Sequence, residues 1–388
     1  MARTGGFIAP ITAGLIAILA GYSGSVVIIF QAAQAAHLAP ALLSSWIWAV
    51  SIGCGVAGIA LSLGFRAPIS VAWSTPGAAL LVISLPSVPY PEAIGAFVLS
   101  GAAILLLVAS GLFDRVMRHV PASIAAAMLA GILFRFGAET WLSLGRQPIL
   151  VGAMLVVYLY GRRFAPRFAI SLVLLAGIAL AAVRGQTAFD DVQITLAHPV
   201  LTLPVFSFYA AINIAIPLTL VAITGQYLPG LAVLRTAGYQ LPARHLVGTI
   251  GSLSLALAPF GCHGITTAAI TAALIAGPDA HPDPSQRWRA GIAMGFFYLV
   301  IGLFGATLAA VFAALPRELI AAIAGLALLG AIMGGLSAAL ASPTERDAAL
   351  ITFLCTASGM TLAGLGAPFW GLIFGLLAQS FLRPRMLT

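Results

Sequence analysis

The chain has 388 residues, 61% of them hydrophobic and only 7% charged, with a mean hydropathy of +1.09. That balance excludes an ordinary soluble domain and makes this a polytopic membrane protein whose first partner is the lipid bilayer. The net charge is +8, but all eighteen basic residues are Arg scattered along the chain. They form no nucleic-acid-binding face, and without Lys there is no Schiff-base amine.

About twenty apolar residues cross a bilayer as a helix. The first predicted span, 7–33, follows Arg3 and belongs to an apolar stretch too long for a secretory signal. Further spans are predicted at 41–63, 68–85, 92–113, 120–138, 147–161 and 167–184. A longer polar stretch, Gly185–Thr202, carries Asp190, Asp191 and His198. Seven more spans follow at 204–228, 245–258, 259–276, 288–312, 317–340, 346–364 and 367–382. The expected class is therefore all-α, with about fourteen transmembrane segments. A first seven-span repeat occupies 1–184, an inter-repeat loop 185–203, and a second repeat 204–388.

Seven is odd, so a second copy of the same unit must be inserted upside down, as an inverted repeat. Arginine placement gives the orientation. With the N-terminus in the cytoplasm, only Arg135, Arg146, Arg184 and Arg317 fall outside, and the other fourteen fall inside. The positive-inside rule then places both termini in the cytoplasm.

Two spans break the pattern. Ala258–Gly277 opens with Pro259, Gly261, Cys262, His263 and Gly264, then turns small and helix-compatible. Ala67–Pro86 follows the same plan, and an ungapped comparison sets Thr75 against Thr266 and Ala78 against Ala269. An extended piece running into a half-length helix is expected in each. Paired broken spans in matching places mark a transporter binding site, because irregular backbone survives in a membrane only within protein or a water-filled cavity. The half-helices are expected to begin near Ser74–Gly77 and Gly264–Thr267.

All ten acidic residues fall at span ends or in loops. A chain with no carboxylate at mid-membrane is poorly suited to a cationic substrate. Two helix N-termini, each with unpaired N–H groups and a partial positive charge, suit an anion instead. Around them Trp73 offers a ring face, and Ser74, Thr75, Thr266 and Thr267 offer hydroxyls beside Gly77, Cys262, Gly264 and Ile265. Tyr22, Ser25 and Gln31 come from the first span, and Gln226 and Tyr227 from the eighth. Each hydroxyl has a plainer reading as a bond to its own helix backbone. His263 has two open readings: a neutral imidazole satisfying a freed carbonyl, or a titrating group for proton coupling, since a free His titrates at about 6.5. Proton coupling through His263 is preferred over a proton that enters on the substrate. The three cysteines show no metal-ligand spacing, so no metal and no cofactor is expected.

With these stretches assembled, the chain resembles the BenE family of benzoate/proton symporters. The carrying residues are Ser23–Ala36, Ala72–Leu81 (AWSTPGAALL), Ala127–Phe136, Leu228–Gly238 (LPGLAVLRTAG), Ala258–Ile270 and His281–Trp288. The resemblance implies uptake of benzoate or a similar aromatic carboxylate with a proton across a bacterial inner membrane. BenE proteins are in turn similar in fold to the UraA-type nucleobase symporters. That likeness implies a core of spans 1–4 and 8–11 (about 7–113 and 204–312) and a gate of spans 5–7 and 12–14 (about 114–184 and 313–382). Substrate would lie between the broken spans 3 and 10, and a homodimer is an admissible assembly. Nucleobase symporters carry acids where this chain has Gly225–Gln226 and Cys262–His263, so carboxylate coupling does not transfer. A carrier or channel for another small anion or a nucleobase-like substrate is the alternative; an intramembrane enzyme built on Cys262 and His263 lacks a third polar member.

Overall fold

The computed structural model describes residues 8–111 and 121–382. Arg3, Asp114, Arg115, Arg118, Arg383 and Arg385 lie outside the described residues, as does the expected boundary near 114. The first part comprises α1 (Ile8–Ala35), α2 (Pro40–Phe65), β1 (Val71–Trp73), α3 (Thr75–Ser84) and α4 (Tyr90–Ala109). Then come α5 (Ala122–Arg146), α6 (Pro148–Phe164) and α7 (Ala169–Val183). After a long connection follow α8 (Phe208–Thr236), α9 (Ala243–Leu257), β2 (Ile265–Thr267) and α10 (Ala269–Ala276). The chain closes with α11 (Trp288–Leu303), α12 (Gly305–Ala313), α13 (Arg317–Ala339), α14 (Arg346–Ser358), the hairpin β3 (Thr361–Leu362) and β4 (Leu365–Gly366), and α15 (Ala367–Leu382).

Long Ala, Leu, Gly and Val runs make these helices, and proline punctuates them where its missing N–H costs nothing. Pro40 and Pro148 occupy first helical positions. Gly359 ends α14 at φ 65°, a left-handed conformation that glycine adopts freely. Six described helices are long and apolar enough to cross a bilayer, or seven if α11 and α12, bent by 67°, count together. Helices such as α7, α9 and α14, of 15, 15 and 13 residues, fall short of that length alone.

Several expected boundaries move. The fifth span, expected over 120–138, continues as α5 to Arg146, where Arg146 pairs with Glu139 at 2.9 Å on a solvent-accessible face. Hydropathy ends before the helix does, because an amphipathic face keeps its backbone bonds at the membrane edge. The thirteenth, expected over 346–364, stops at Ser358 and turns into the β3–β4 hairpin. The eighth begins at Phe208 and contains two π-helical turns, Ala211–Ala215 and Ile223–Tyr227. Residues 192–203, expected to be loop, and 204–207, expected to open the eighth span, run along α12, α2 and α4 as an extended strap. Thr195 and Thr307 bond reciprocally at 2.9 Å, Val200 donates to Ser45 Oγ, and Val205 donates to the Pro91 carbonyl.

Helices α5, α13, α14 and α15 pack as one group, with α6 against α7. Helices α1, α2, α4, α9 and α11 pack around the two interrupted segments. There β1 and β2 pair antiparallel, Val71 with Thr267, Ala72 with Thr266 and Trp73 with Ile265. The interrupted segments therefore cross each other inside the helical bundle.

Candidate functional site

Backbone chemistry builds the crossing. Gly261 and Gly264 take φ values of 102° and 134°, so the chain leaves the 3-10 turn Ala258–Phe260 in a conformation that side chains resist. A Cβ on Gly261 would also press on Trp46 at 3.1 Å. Those residues lengthen the second break. Val71 and Thr75 correspond to Ile265 and Ala269 as starts of strand and helix, three residues along from the register that matched Thr75 with Thr266. The second half-helix accordingly begins at Ala269 and not near Gly264–Thr267, which is extended.

The correction changes which N–H groups are free. At α3, Ser74 is the N-cap: its hydroxyl accepts from the Gly77 amide at 3.1 Å, and its own amide donates to the Gly264 carbonyl at 3.0 Å. Pro76 removes another donor, leaving Thr75 at the N-terminus half-buried. Gly77 admits the close approach of Leu218 from α8. At α10 the N-cap is Ala268, which supplies no side-chain oxygen. The amides of Ala269, Ile270 and Thr271 find no acceptor among the described residues. Among the described residues the second N-terminus leaves more of its first-turn amides open than the first. It is also accessible: Ala268 and Ala269 are half-buried, and Ile270 is 76% exposed.

Gln226 lies beside that N-terminus. The π-turn Ile223–Tyr227 widens α8 here, and Thr267, just before the N-cap, donates to the Gln226 and Tyr227 carbonyls at 3.2 and 3.3 Å. Gly230 lets α8 come close, since a Cβ there would meet Thr267. The Gln226 side-chain amide is half-buried and has no hydrogen-bond partner among the described residues. Tyr227 is fully buried, its hydroxyl donating to the Ile265 carbonyl at 3.0 Å. Ser254 holds the same residue from the other side, accepting from the Ile265 amide at 3.0 Å.

The remaining candidates divide. Trp73 is buried edge-on between Tyr22 and Tyr298, with ring centroids 4.7 and 5.8 Å away, and its indole N–H has no acceptor among the described residues. Tyr22 bonds Ser51 on α2 at 3.1 Å. Ser25 donates to the Gly21 carbonyl in its own helix at 2.6 Å, the plainer reading of such hydroxyls. Gln31 lies nine residues beyond Tyr22, about 13 Å along the helix axis, so α1 does not bring the two together. Thr266 is buried and donates to the Ala72 carbonyl at 3.3 Å, and Cys262 is buried. His263, 1% exposed, accepts from the Trp46 indole at Nδ1 over 2.9 Å and meets the Ser74 carbonyl at Nε2 over 3.0 Å. A small void lined by Ser74, Ser100, Ser254, His263 and Thr266 has room for about one water. No group of three or more His, Cys, Asp or Glu gathers among the described residues to hold a metal.

Ile270 was missed in the sequence, where it reads as one more apolar membrane residue. Its signal is positional: a branched side chain in the first turn of a short half-helix is left uncovered by neighbouring helices. The chemistry gathered here is three amides without an acceptor among the described residues, the half-buried Gln226 tied to Thr267 through its backbone, and one exposed apolar side chain. That set suits a carboxyl group carried on a flat apolar body.

The sequence pattern of a family described as Benzoate membrane transport protein matches residues 7–381. A protein of that description from Acinetobacter baylyi is 44% identical over 370 residues, covering 95% of this chain and 94% of that one. The inner membrane protein YdcO of Escherichia coli is 46% identical over 363 residues, covering 94% and 93%. Among solved structures, the transmembrane domain of the cyanobacterial bicarbonate transporter BicA superposes with a TM-score of 0.61 at 14% identity, over 97% of both chains. SLC26A9 gives 0.58 at 15% identity, over 96% of this chain and 65% of that one. At such identities these structures speak for the fold alone.

Proposed function

Because this chain belongs to the benzoate membrane transport protein family, we propose that it imports benzoate or a similar aromatic carboxylate together with a proton, by alternating access. The observation that carries the reading is the uncapped N-terminus of α10, whose Ala269, Ile270 and Thr271 amides find no acceptor among the described residues, set beside Gln226, whose backbone carbonyl holds Thr267, and the exposed Ile270 side chain. The amides take the carboxyl group, and Ile270 takes the ring. Trp73, Thr75 and Thr267 shape the surroundings, and Ser74, His263 and Tyr227 hold the backbone that presents them.

The proposed architecture is fourteen spans in two inverted repeats, with α3 and α10 as the half-helices of spans 3 and 10 and α11–α12 as one bent span. Matching strand-then-helix order at both breaks supports it. The two packing groups support a core of spans 1–4 and 8–11 moving against a gate of spans 5–7 and 12–14. Both termini lie in the cytoplasm of a bacterium whose inner membrane holds the protein, following the arginine bias.

A thermal-shift screen of the purified full chain against benzoate, uracil and bicarbonate tests the substrate class. Stabilisation by benzoate alone is expected. Stabilisation by bicarbonate or uracil without benzoate would replace the reading with the small-anion or nucleobase alternative.

A further inference from the structure

We propose that the acid is bound and carried in its neutral, protonated form, with the proton on the substrate carboxyl group and not on His263. The inference rests on the function proposed above and concerns where its proton travels.

The hydrogen bonds of His263 fix its state. An indole N–H only donates, so Nδ1, 2.9 Å from Trp46 Nε1, is an acceptor without a proton. A carbonyl only accepts, so Nε2, 3.0 Å from the Ser74 oxygen, carries the one ring proton. A second proton at Nδ1 would set two N–H groups head to head. It would also release the Trp46 indole, whose bond holds the ring in place against Ser74, the residue that caps α3 and ties it to Gly264. Around the ring lie Trp46 of α2, Phe97 and Ser100 of α4, Ser254 of α9 and Ser74. None is an acid or an arginine that would balance a charge. The titratable groups nearby are the adjacent Cys262, Cys54 close to it, Tyr90 against Gly261, and Tyr227, whose hydroxyl already donates to Ile265. His263 is thus a positioning residue.

Five carboxylates are engaged elsewhere, and Glu92, Asp190 and Asp347 lie at helix ends or in loops. Glu139 pairs with Arg146, Asp279 with Arg167, Glu318 accepts from Gln147, and Glu345 accepts from Ser123 and Gln379. Asp283 caps the turn at Ser285. No described acid stands at the crossing.

Gln226 supplies the chemistry for a neutral ligand. A primary amide and a carboxylic acid close a ring of two hydrogen bonds, acid O–H to amide oxygen and amide N–H to acid carbonyl. A carboxylate presents only acceptors and sets its charge against the amide oxygen. The free α10 amides add donors to the acid carbonyl. Water leaving the closing site favours the uncharged form of the acid. The proton joins a carboxylate oxygen on the outer side and leaves that oxygen inside, and the protein ends the cycle with the protons it began with.

Calorimetric titration of the purified full chain, in two buffers of different ionisation enthalpy, reads affinity and proton uptake together. Benzoate should take up about one proton per molecule, and its affinity should fall about tenfold per pH unit between about pH 6 and 8. Benzamide, a neutral mimic of the acid, should compete equally across that range. Benzenesulfonate, equally flat but permanently charged, should not compete. His263→Gln, whose amide can accept from Trp46 and donate to Ser74, should keep the proton uptake. Competition by benzenesulfonate within about threefold of benzoate would overturn the proposal. So would benzoate binding to His263→Gln without proton uptake. If that variant fails to fold, the ligand series on the parent decides. Absence of benzoate binding to the parent would instead remove the reading of function.

Discussion

Replacing Ala268 with Asp should stabilise the protein and disable it. Ala268 is the N-cap of α10, half-buried and without a side-chain oxygen, and three amides beyond it have no partner among the described residues. An Asp there accepts from the amide two or three residues on, a cap worth about 1 kcal/mol relative to Ala. Its charge at the positive helix end adds about 0.3–1 kcal/mol. The sum, between about 1 and 2 kcal/mol, should raise the thermal midpoint by about 1–4 °C. The same carboxylate occupies the donors assigned to the substrate. Each amide withdrawn costs the ligand about 1 kcal/mol, so benzoate affinity should fall by tenfold or more, about 1.4 kcal/mol per decade. Ala268→Ser, a neutral cap, should show the same two signs at smaller size. Thermal melts and benzoate titrations on the three proteins make the check. An Asp variant that is more stable and binds benzoate like the parent would refute the assignment of these amides. One that is less stable would refute the claim that they are free.

Gln226→Leu should weaken benzoate binding by about tenfold, the loss of one or two hydrogen bonds, while Gln240→Leu at an exposed position should leave it unchanged in the same titration. Gly230→Ala should destabilise the chain and displace β2, because a Cβ there meets Thr267; a melting curve and loss of benzoate binding together read it. Arg287 donates to the carbonyls of Ala276 at the end of α10 and of His281, so Arg287→Ala should cost about 2 kcal/mol, and Arg287→Lys should recover only part because it lacks the planar fork. Asp283, in the exposed turn before α11, is held below the usual carboxylate range by the Ser285 hydroxyl and amide. A depressed carboxylate contributes above its unfolded pKa and loses that contribution as pH falls through its folded pKa. Limited proteolysis of the turn should therefore quicken on acidification, and Asp283→Ala should cleave quickly at all pH values.

The broken segments were legible because Pro68, Pro259, Gly261 and Gly264 cannot continue a helix, and that constraint is local. Their place at the crossing followed from it. The register did not: three residues taken up by the Gly261–His263 turn shift α10 to Ala269, and no local rule counts them. That shift hid Ala268 and Ile270 and credited Thr266 with an exposure it lacks. The hydrogen-bond state of His263 was equally out of reach, since Trp46 lies on α2, far away in sequence. Tyr227 shows the same limit, its hydroxyl spent on the Ile265 carbonyl by a tertiary contact, whereas the Ser25 bond to Gly21 in its own helix is the local reading the sequence already offered. Helix ends at Arg146 and Ser358 were misplaced because hydropathy marks lipid, and helices extend or stop by their hydrogen bonds.

Benzoate uptake into proteoliposomes, with the pH gradient and the membrane potential imposed separately, tests the central claim most directly. One carboxylate moving with one proton is electroneutral. Saturable accumulation should follow a gradient acidic on the outside, approaching about tenfold per pH unit, and ignore a potassium–valinomycin potential. Accumulation driven by the potential, or benzoate entry that neither saturates nor depends on the pH gradient, would contradict a benzoate/proton carrier of this design.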